Sequence, residues 1–583
     1  MKILSIYPGH CSTVAYLKDG EIIDCISEEK FNNIKNSLSF PLKSIKWILK
    51  KNNLNINDFD KIGIVGKTTV FYDIRTSENN SFESVLNEKE NLLKKIYRYI
   101  DVNLKFETKE NILKKLQLKK YNKNFPRRKK YYFRKIMELL ELKDENKLEL
   151  IDHHECHAFG AYYGLKNNVN NALVFTLDGQ GDFSCAKIYK VVDNQWTLLA
   201  NTWWKYSIGE LYSSVTKVMG MKPLEHEYKI MGLAAYSNKK YFQKAKKDIF
   251  EGLFWLEGLE FRSKIPSYAF SDYLSKKIPY HRFDNIAGAL QDYLEELVIE
   301  WIKKAIKKTG IKNIYLGGGV FMNVKLNKKI QELPEVENVN FMPSCGDEST
   351  PIGGAYYLYN KYKSIPKPFK NIYFGISYTN DEIEEFIKSK KLENRFKVEF
   401  VQDIEKRIAT LLSENKIVAR FRDRCEWGAR SLGNRAILGN PSRMETFFEI
   451  NDRIKQRDFW MPFAPTILDK YAKLYLKNPK NIKAPYMITA FDSTELGREK
   501  FKAAMHQRDK TLRAQILEKE FNEKYYNLIE YFYELTGIGG VLNTSFNLHG
   551  YPLVATPEQA LFTFENSNLE YLALENFLII KKK

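Results

Sequence analysis

One strand pattern occurs twice in this chain, and it limits the fold more than any other feature. The first copy begins with the apolar run Lys2–Tyr7 and turns through Pro8, Gly9 and His10. It resumes at 14–17, turns again at Asp19 and Gly20, and continues through Glu21–Ser27. The second copy begins at 172–178, passes the turn Gly179-Gln180-Gly181-Asp182, resumes at 183–192 and turns at Asp193-Asn194. Each reads as strand, glycine turn, strand, polar turn, strand, which is one β-meander duplicated. A glycine turn lets backbone N–H groups approach a phosphate closely.

Two such lobes facing each other are the plan of the actin, sugar-kinase and Hsp70 class of ATP-binding folds. At 583 residues, 44% hydrophobic and 28% charged, the chain is long enough for two to four domains of ordinary globular composition. The formal net charge of +20 suits anionic partners such as nucleic acid, nucleotides or phosphorylated substrates. A lysine-rich solvated surface accounts for it as well. Between the lobes, 68–147 reads as a helical basic insertion with Arg127-Arg128-Lys129-Lys130 among Tyr121, Tyr131, Tyr132 and Phe133. It suits an anionic partner, but a solvated helical face with its aromatics packed inward is the preferred reading. The six cysteines are scattered without a C-x-x-C pair, so reduced thiols and a cytoplasmic setting are expected. No apolar run reaches the roughly 18 residues of a membrane span, and no signal peptide is evident.

The densest chemistry lies in Ile151-Asp152-His153-His154-Glu155-Cys156-His157, which holds three of the eight histidines. Asp152 and Glu155 read as the N-cap and third residue of a helix. His153 and His157 then project from one face, a spacing that offers two imidazoles to one metal ion. Packing or surface histidines share this spacing. Asp178 at the end of the second lobe's first strand, and Asp347 before a helix at 351–362, can complete a two-His, two-carboxylate set suited to Fe(II), Mn(II) or Zn(II). The alternative for Asp347 is helix capping. Gly317-Gly318-Gly319 between a strand and a helix is a plausible nucleotide cradle, or a tight turn.

After a linker at 363–368, a strand at 371–374 is expected to open a second domain. Its centre is an arginine-rich run, 420–435, followed by Arg453, Lys455, Arg457 and Arg513. Guanidiniums among apolar strand residues suggest a pocket for phosphate or carboxylate. Residues 540–547 end a strand in Asn543, Thr544 and Ser545, and Thr556-Pro557-Glu558-Gln559 reads as a helix start.

In this order the motifs resemble the O-carbamoyltransferase family of the nodulation, tobramycin and cephamycin carbamoyltransferases. In the first half they are G-H-x-S at Gly9, Glu28-Glu29, H-H-x-x-H at His153, D-G-x-G-D at Asp178, K-x-M-G-L-A at Lys229, G-G-V at Gly318 and G-D-E at Gly346. In the second they are R-x-E-x-G-x-R-x-L-G-N-R at Arg424, P-F-A-P at Pro462, T-x-R-x-Q at Thr511 and N-T-S-F-N at Asn543. The resemblance implies α/β and α+β architecture: a Kae1-like domain of the actin/Hsp70 class over 1–365, then a YrdC-like domain over 366–583. It implies that carbamoyl phosphate and ATP form carbamoyl-adenylate in the second domain, and that an acceptor hydroxyl takes the carbamoyl group in the first, releasing AMP.

The resemblance further implies catalytic roles for Arg424, Arg430, Arg457 and Arg513 as phosphate clamps, with His10 as general base. Lys229, Lys455, Asn543 and Ser545 are expected to bind substrate, and Gly179, Gly181, Gly318, Gly319 and Asn323 to line the nucleotide. His153, His157, Asp178 and Asp347 are expected to hold a divalent ion, Fe(II) by resemblance with Mn(II) or Zn(II) as alternatives, and ATP enters with Mg(II). The implied partners are carbamoyl phosphate, ATP and a sugar or secondary-metabolite hydroxyl. No stable nucleic-acid partner is expected, and the protein is expected to be a monomer or homodimer. Cys11 replaces the family's usual Asp, Ala429 its Pro, and Arg508-Asp509-Lys510 its D-G-T. A tRNA threonylcarbamoyl transferase shares the domain types and is the nearest rival. A non-catalytic nucleic-acid-binding protein also fits the charge, whereas a carbohydrate kinase leaves the arginine-rich half unexplained.

Overall fold

The protein is described by a computed structural model over residues 1–76, 106–165 and 171–582. Two compact units emerge: Met1–Glu28 with Asn36–Phe369, and Glu29–Lys35 with Lys370–Lys583.

In the first unit, strands β1 (Lys2–Tyr7), β2 (Thr13–Lys18), β3 (Glu21–Ser27), β4 (Lys61–Val65) and β5 (Leu148–Ile151) form one sheet in the order β3-β2-β1-β4-β5. The second sheet uses β6 (Asn171–Gly181), β7 (Ser184–Val192) and β8 (Gln195–Trp203). A small hairpin of β9 (Phe254–Glu257) and β10 (Glu260–Ser263) intervenes before β11 (Asn313–Gly317) and β12 (Asn338–Phe341). The second sheet's order is β12-β11-β6-β7-β8. Read from the meander outward, both sheets are three antiparallel strands followed by two parallel ones. The duplicated meander therefore extends to five strands per sheet. Asp19-Gly20 and Asp193-Asn194 both take positive φ, as tight hairpin turns require.

The second copy differs from the expected glycine turn at 179–182. β6 continues through Gly181, and the turn is made by Asp182 and Phe183, both at positive φ. The ladder shifts between Leu177↔Ala186 and Gly181↔Ser184, so Asp178, Gly179 and Gln180 face Cys185 alone. Such a bulge breaks the alternation of side chains and re-aims one of them. Here it redirects Asp178.

The helix His153–Leu165 lies against the helix Thr350–Tyr362, and glycines set the distance. A Cβ on Gly353 would stand 1.6 Å from the Cys156 carbonyl oxygen, and one on Gly160 would stand 3.5 Å from Gly353 Cα. This near backbone contact brings the two helix N-termini together. A long helix runs over Phe283–Thr309. Within the basic insertion, Phe106–Leu140 is helical, while 77–105 lies outside the described residues. Arg127, Arg128 and Lys130 are exposed, whereas Tyr132, Phe133 and Ile136 are buried. The described part of the insertion thus has a solvated outer face and an apolar inner one.

The second unit carries an eight-stranded mixed sheet. Its order is Phe396–Phe400, Phe577–Lys581, Tyr571–Leu574, Val418–Phe421, Arg435–Gly439, Gly540–Ser545, Ala464–Leu468 and Gln515–Leu517. The strand expected at 371–374 is not formed. That segment is irregular, and the Tyr373 hydroxyl donates to the Leu432 carbonyl at 2.9 Å. Residues Glu29–Lys35 attach here, with Gln559 Nε2 donating to the Lys30 carbonyl at 3.0 Å. All six cysteines are free, and no helix among the described residues is long and apolar enough to cross a membrane.

Candidate functional site

Two carboxylates fix the first turn of the histidine helix. Asp152 Oδ1 accepts the Glu155 N–H at 3.0 Å and the Lys187 ammonium at 2.7 Å. Asp182 Oδ2, from the β6–β7 turn, accepts the His153 N–H at 2.9 Å. His153 and His157 then project one turn apart, with their Nε2 atoms 3.2 Å from each other. Asp178 Oδ2 lies 3.1 Å from His153 Nε2 and 3.7 Å from His157 Nε2. Asp347 Oδ1 is 3.4 Å from each ring nitrogen. One ligand atom from each of these four buried residues lies within 4.8 Å of the others.

The donor set fits a divalent ion. Burial pushes both imidazoles down, but the two carboxylates outweigh it and hold His153 well above its ordinary pKa and His157 above it. The cluster therefore requires positive charge at its centre, and a metal ion between neutral imidazoles and carboxylates meets the same demand. Outer contacts hold the ligands in place: Ser349 Oγ sits 3.2 Å from His157 Nδ1, and the Gly319 N–H donates to Asp178 Oδ1 at 2.9 Å. The other oxygen of Asp347 accepts the Tyr7 hydroxyl and lies 3.4 Å from His10 Nε2. His10 thus stands beside the cluster. His154 does not join it. Its Nδ1 meets Thr176 Oγ1 at 2.9 Å, and burial, with the His153 and Lys187 charges, pushes the ring down to about 3.

The glycines expected to line a nucleotide have local reasons of their own. A Cβ on Gly181 would enter the His153 ring at 2.2 Å, and one on Gly319 would stand 2.8 Å from Asp178 Oδ1. Gly318 takes φ +97°, and a Cβ there would stand 2.5 Å from the Leu177 carbonyl oxygen. Asn323 caps the helix Val324–Glu332 and exchanges two hydrogen bonds with Gln291, at 2.9 and 3.1 Å. Lys229 is buried on the helix Glu227–Ala234.

In the second unit the arginine-rich run divides by role. Arg435 donates to the carbonyls of Arg422, Asn434, Ile376 and Asp423 at 2.7–3.0 Å. Arg422 bridges Glu405 and Glu575 at 3.1 and 2.9 Å, and Arg420 reaches the Gly433 carbonyl at 2.6 Å. These three hold the sheet and loop together, so the run as a whole is not a phosphate pocket. Arg424 is tied to the Phe374 and Gly375 carbonyls, while Arg430, Arg457 and Arg513 are half-buried.

Lys455 ends a π-helical stretch, Glu449–Lys455, a geometry frequent at functional sites. Its ammonium donates to the Ser545 carbonyl and to Asn547 O and Oδ1 at 2.7 and 2.6 Å. Burial, then Arg457 and Lys35, push its pKa well below the usual value. Arg457, Lys455 and Ser545 thus form one cationic neighbourhood. Asn543 connects to the run through Ser431, whose carbonyl accepts Asn543 Nδ2 at 3.2 Å.

Two family models cover most of the sequence: the carbamoyltransferase N-terminus matches residues 2–356 and the carbamoyltransferase C-terminus matches 409–581. The chain belongs to the carbamoyltransferase family. An uncharacterized protein of Methanocaldococcus jannaschii is 30% identical across 100% of both chains. The nodulation protein NolNO of Sinorhizobium fredii is 26% identical over 98% of this chain and 79% of its own. Among solved structures, the activator of the 2-hydroxyisocaproyl-CoA dehydratase from Clostridium difficile covers 62% of this chain and 95% of its own. It does so at 13% identity and a TM-score of 0.33, too low to bear on the fold. The protein is a transferase enzyme.

One residue of this carbamoyltransferase's site escaped sequence reasoning. Ser207 caps the helix Ile208–Val218, its Oγ accepting the Glu210 N–H at 3.0 Å and donating to the Asp178 carbonyl at 3.2 Å. A Cβ on Gly179 would stand 3.3 Å from Glu210 Oε1. The S-x-x-E pattern at Ser207 was the available signal. Burial, then the Asp178 and Glu227 carboxylates, push Glu210 up from 4.5 to about 7. A carboxyl raised in the folded state costs stability as pH climbs from its unfolded value through its folded one. In metal-stripped protein, Glu210→Gln should therefore raise the unfolding free energy at pH 8 by roughly 1–3 kcal/mol. That gain should vanish below pH 4.5. Denaturant titrations at both pH values check this, and equal differences at the two would contradict it.

Proposed function

We propose that this carbamoyltransferase is an ATP-dependent O-carbamoyltransferase working in two half-reactions, with residues 366–583 as a YrdC-like and 1–365 as a Kae1-like domain. In the first, water hydrolyses carbamoyl phosphate to carbamate and inorganic phosphate, and a carbamate oxygen attacks the α-phosphorus of ATP. Pyrophosphate leaves and carbamoyl-adenylate remains. Arg424, Arg430, Arg457 and Arg513, with Lys455, offset phosphate charge, while Asn543 and Ser545 position the carbamoyl group. In the second, an acceptor hydroxyl attacks the carbamoyl carbon and AMP departs. His10 takes the hydroxyl proton. Lys229 and the segments around Gly179, Gly181, Gly318, Gly319 and Asn323 receive the nucleotide.

The observation that carries this reading is the convergence of His153, His157, Asp178 and Asp347, with His10 beside the Asp347 oxygen that accepts the Tyr7 hydroxyl. A divalent ion bound there, Fe(II) or else Mn(II) or Zn(II), supplies Lewis-acid charge beside the nucleotide phosphates. A hydroxyl on a sugar or secondary metabolite is the acceptor class. The test is pyrophosphate release from ATP by the full chain. It should require carbamoyl phosphate, and threonine with bicarbonate should not replace it. Release with threonine and bicarbonate alone would instead identify the tRNA-modifying chemistry.

A further inference from the structure

The helix Phe106–Leu140 takes no part in either half-reaction, yet its charge is concentrated on one side. Over 111–137 the sequence holds 11 Lys and Arg and no Asp or Glu. Lys119, Lys123, Arg127, Lys130 and Arg134 follow at steps of three or four residues, so they share one face, with Lys120 beside them. All six are exposed. Four residues advance about 6 Å along a helix axis, so the face presents roughly one cation per turn. Among the described residues, Arg134 alone of the six has an acidic partner, Glu138 at 3.6 Å. Like charges one turn apart repel, so this ridge destabilises its own helix, and a bound polyanion relieves the repulsion.

The opposite face anchors the ridge beside the histidine cluster. Tyr121 packs its ring 5.0 Å from that of Phe183 and donates its hydroxyl to the Lys67 carbonyl at 3.3 Å. The Lys67 and Thr68 N–H groups in turn donate to the two oxygens of Asp182 at 2.8 and 2.7 Å. Asp182 Oδ2 is the atom that also accepts the His153 N–H. The turn at Asp182 and Phe183 therefore touches both the ridge helix and the helix that carries His153 and His157. A chain held on the ridge lies on an element packed directly against the site's own turn.

We infer that this ridge is a docking surface for an anionic polysaccharide, a chain of acidic sugars whose repeated charges match the row of cations. Two other polyanionic surfaces fit less well. A helix seated on a membrane needs a continuous apolar face, and here Leu116 and Tyr131 stand exposed 15 positions apart with cations between them. Single-stranded nucleic acid is held by a series of aromatic rings on which bases stack. Tyr132 and Phe133 are buried and Tyr121 is packed on Phe183, which leaves Tyr131 alone outside, with the Arg134 guanidinium 5.6 Å from its ring. An acidic polysaccharide needs only the charges, and it carries hydroxyls of the class the proposed reaction consumes. The inference deepens the O-carbamoyltransferase reading by giving the sugar acceptor an acidic chain.

The test is binding of polygalacturonate, neutral dextran and tRNA to the full chain by fluorescence titration, without ATP or carbamoyl phosphate. One variant combines Lys123→Glu, Arg127→Glu and Lys130→Glu. A control combines Lys240→Glu, Lys244→Glu and Lys247→Glu on the exposed side of the helix Lys239–Ile249, with the same change in net charge. Alanine at the three ridge positions replaces the reversal if thermal unfolding shows that glutamate unfolds the protein. The wild type should bind polygalacturonate at least about tenfold more tightly than dextran, and the ridge variant should lose that margin. The control should stay within about twofold of the wild type, because screening confines a surface charge to its own neighbourhood. Equal loss in both triples, wild-type binding by the folded ridge variants, or displacement of polygalacturonate by tRNA at lower charge concentration would overturn the assignment. Carbamoyl-phosphate-dependent pyrophosphate release is read separately. Its absence in a wild type whose ridge binds polygalacturonate would count against the two-step reaction and leave the docking surface standing.

Discussion

Asp347→Asn should yield a folded protein that has lost its divalent ion and transfers carbamoyl groups about 10³-fold more slowly, the scale of removing one preorganised charge. The substitution changes one atom of a residue that is 5% exposed, so packing is preserved. Its electrostatic effect is large because both carboxylate oxygens are engaged. Oδ1 faces His153 and His157, while Oδ2 accepts from Tyr7 and lies 3.4 Å from His10. Burial pushes this carboxyl up, yet His153 and His10 hold it well below the ordinary range, so it remains an anion. Asparagine removes the charge that both the metal and His10 require. Metal content by plasma mass spectrometry and AMP release in the presence of an acceptor are the two readouts. Carbamoyl-phosphate-dependent pyrophosphate release should survive, because the proposal places it in the other unit. A variant with full metal and full transfer would remove Asp347 from the site.

The second large effect is expected at Arg513. Arg513→Ala should lower pyrophosphate release about 10²–10³-fold, as loss of one charge-stabilising donor does elsewhere, and should leave metal content unchanged. Arg513→Lys should recover only part of the rate, because an ammonium cannot bind two phosphate oxygens as a planar fork does. Arg435, whose guanidinium is spent on four backbone carbonyls, is not expected to contribute to this step. Wild-type pyrophosphate release by folded Arg513→Ala would exclude it as a phosphate clamp.

Arg422 and Arg435 show how far spacing and composition reach. Nothing in the run 420–435 reveals which guanidiniums tie carboxylates or backbone carbonyls, because all are Arg among apolar strand residues. Only the partners separate them, and the partners are distant in sequence: Glu575 for Arg422, Ile376 for Arg435. The strand expected at 371–374 failed for a similar reason. Its apolar residues pack, with Tyr373 hydrogen-bonded to Leu432, but no neighbouring strand pairs with them.

The local code alone determined the two meanders, the cap at Asp152, the one-turn spacing of His153 and His157, and the ordered motifs that mark the family. These depend on neighbours within a few residues, where periodicity and capping act. Tertiary structure decided what the spacing serves. The bulge after Leu177 turns Asp178 toward the histidines, and Gly353 lets its helix approach Cys156 closely enough to bring Asp347 beside them. A bulge depends on the partner strand, and a glycine contact depends on the backbone it meets. Neither partner is adjacent in the chain, so no short window of sequence contains the cause.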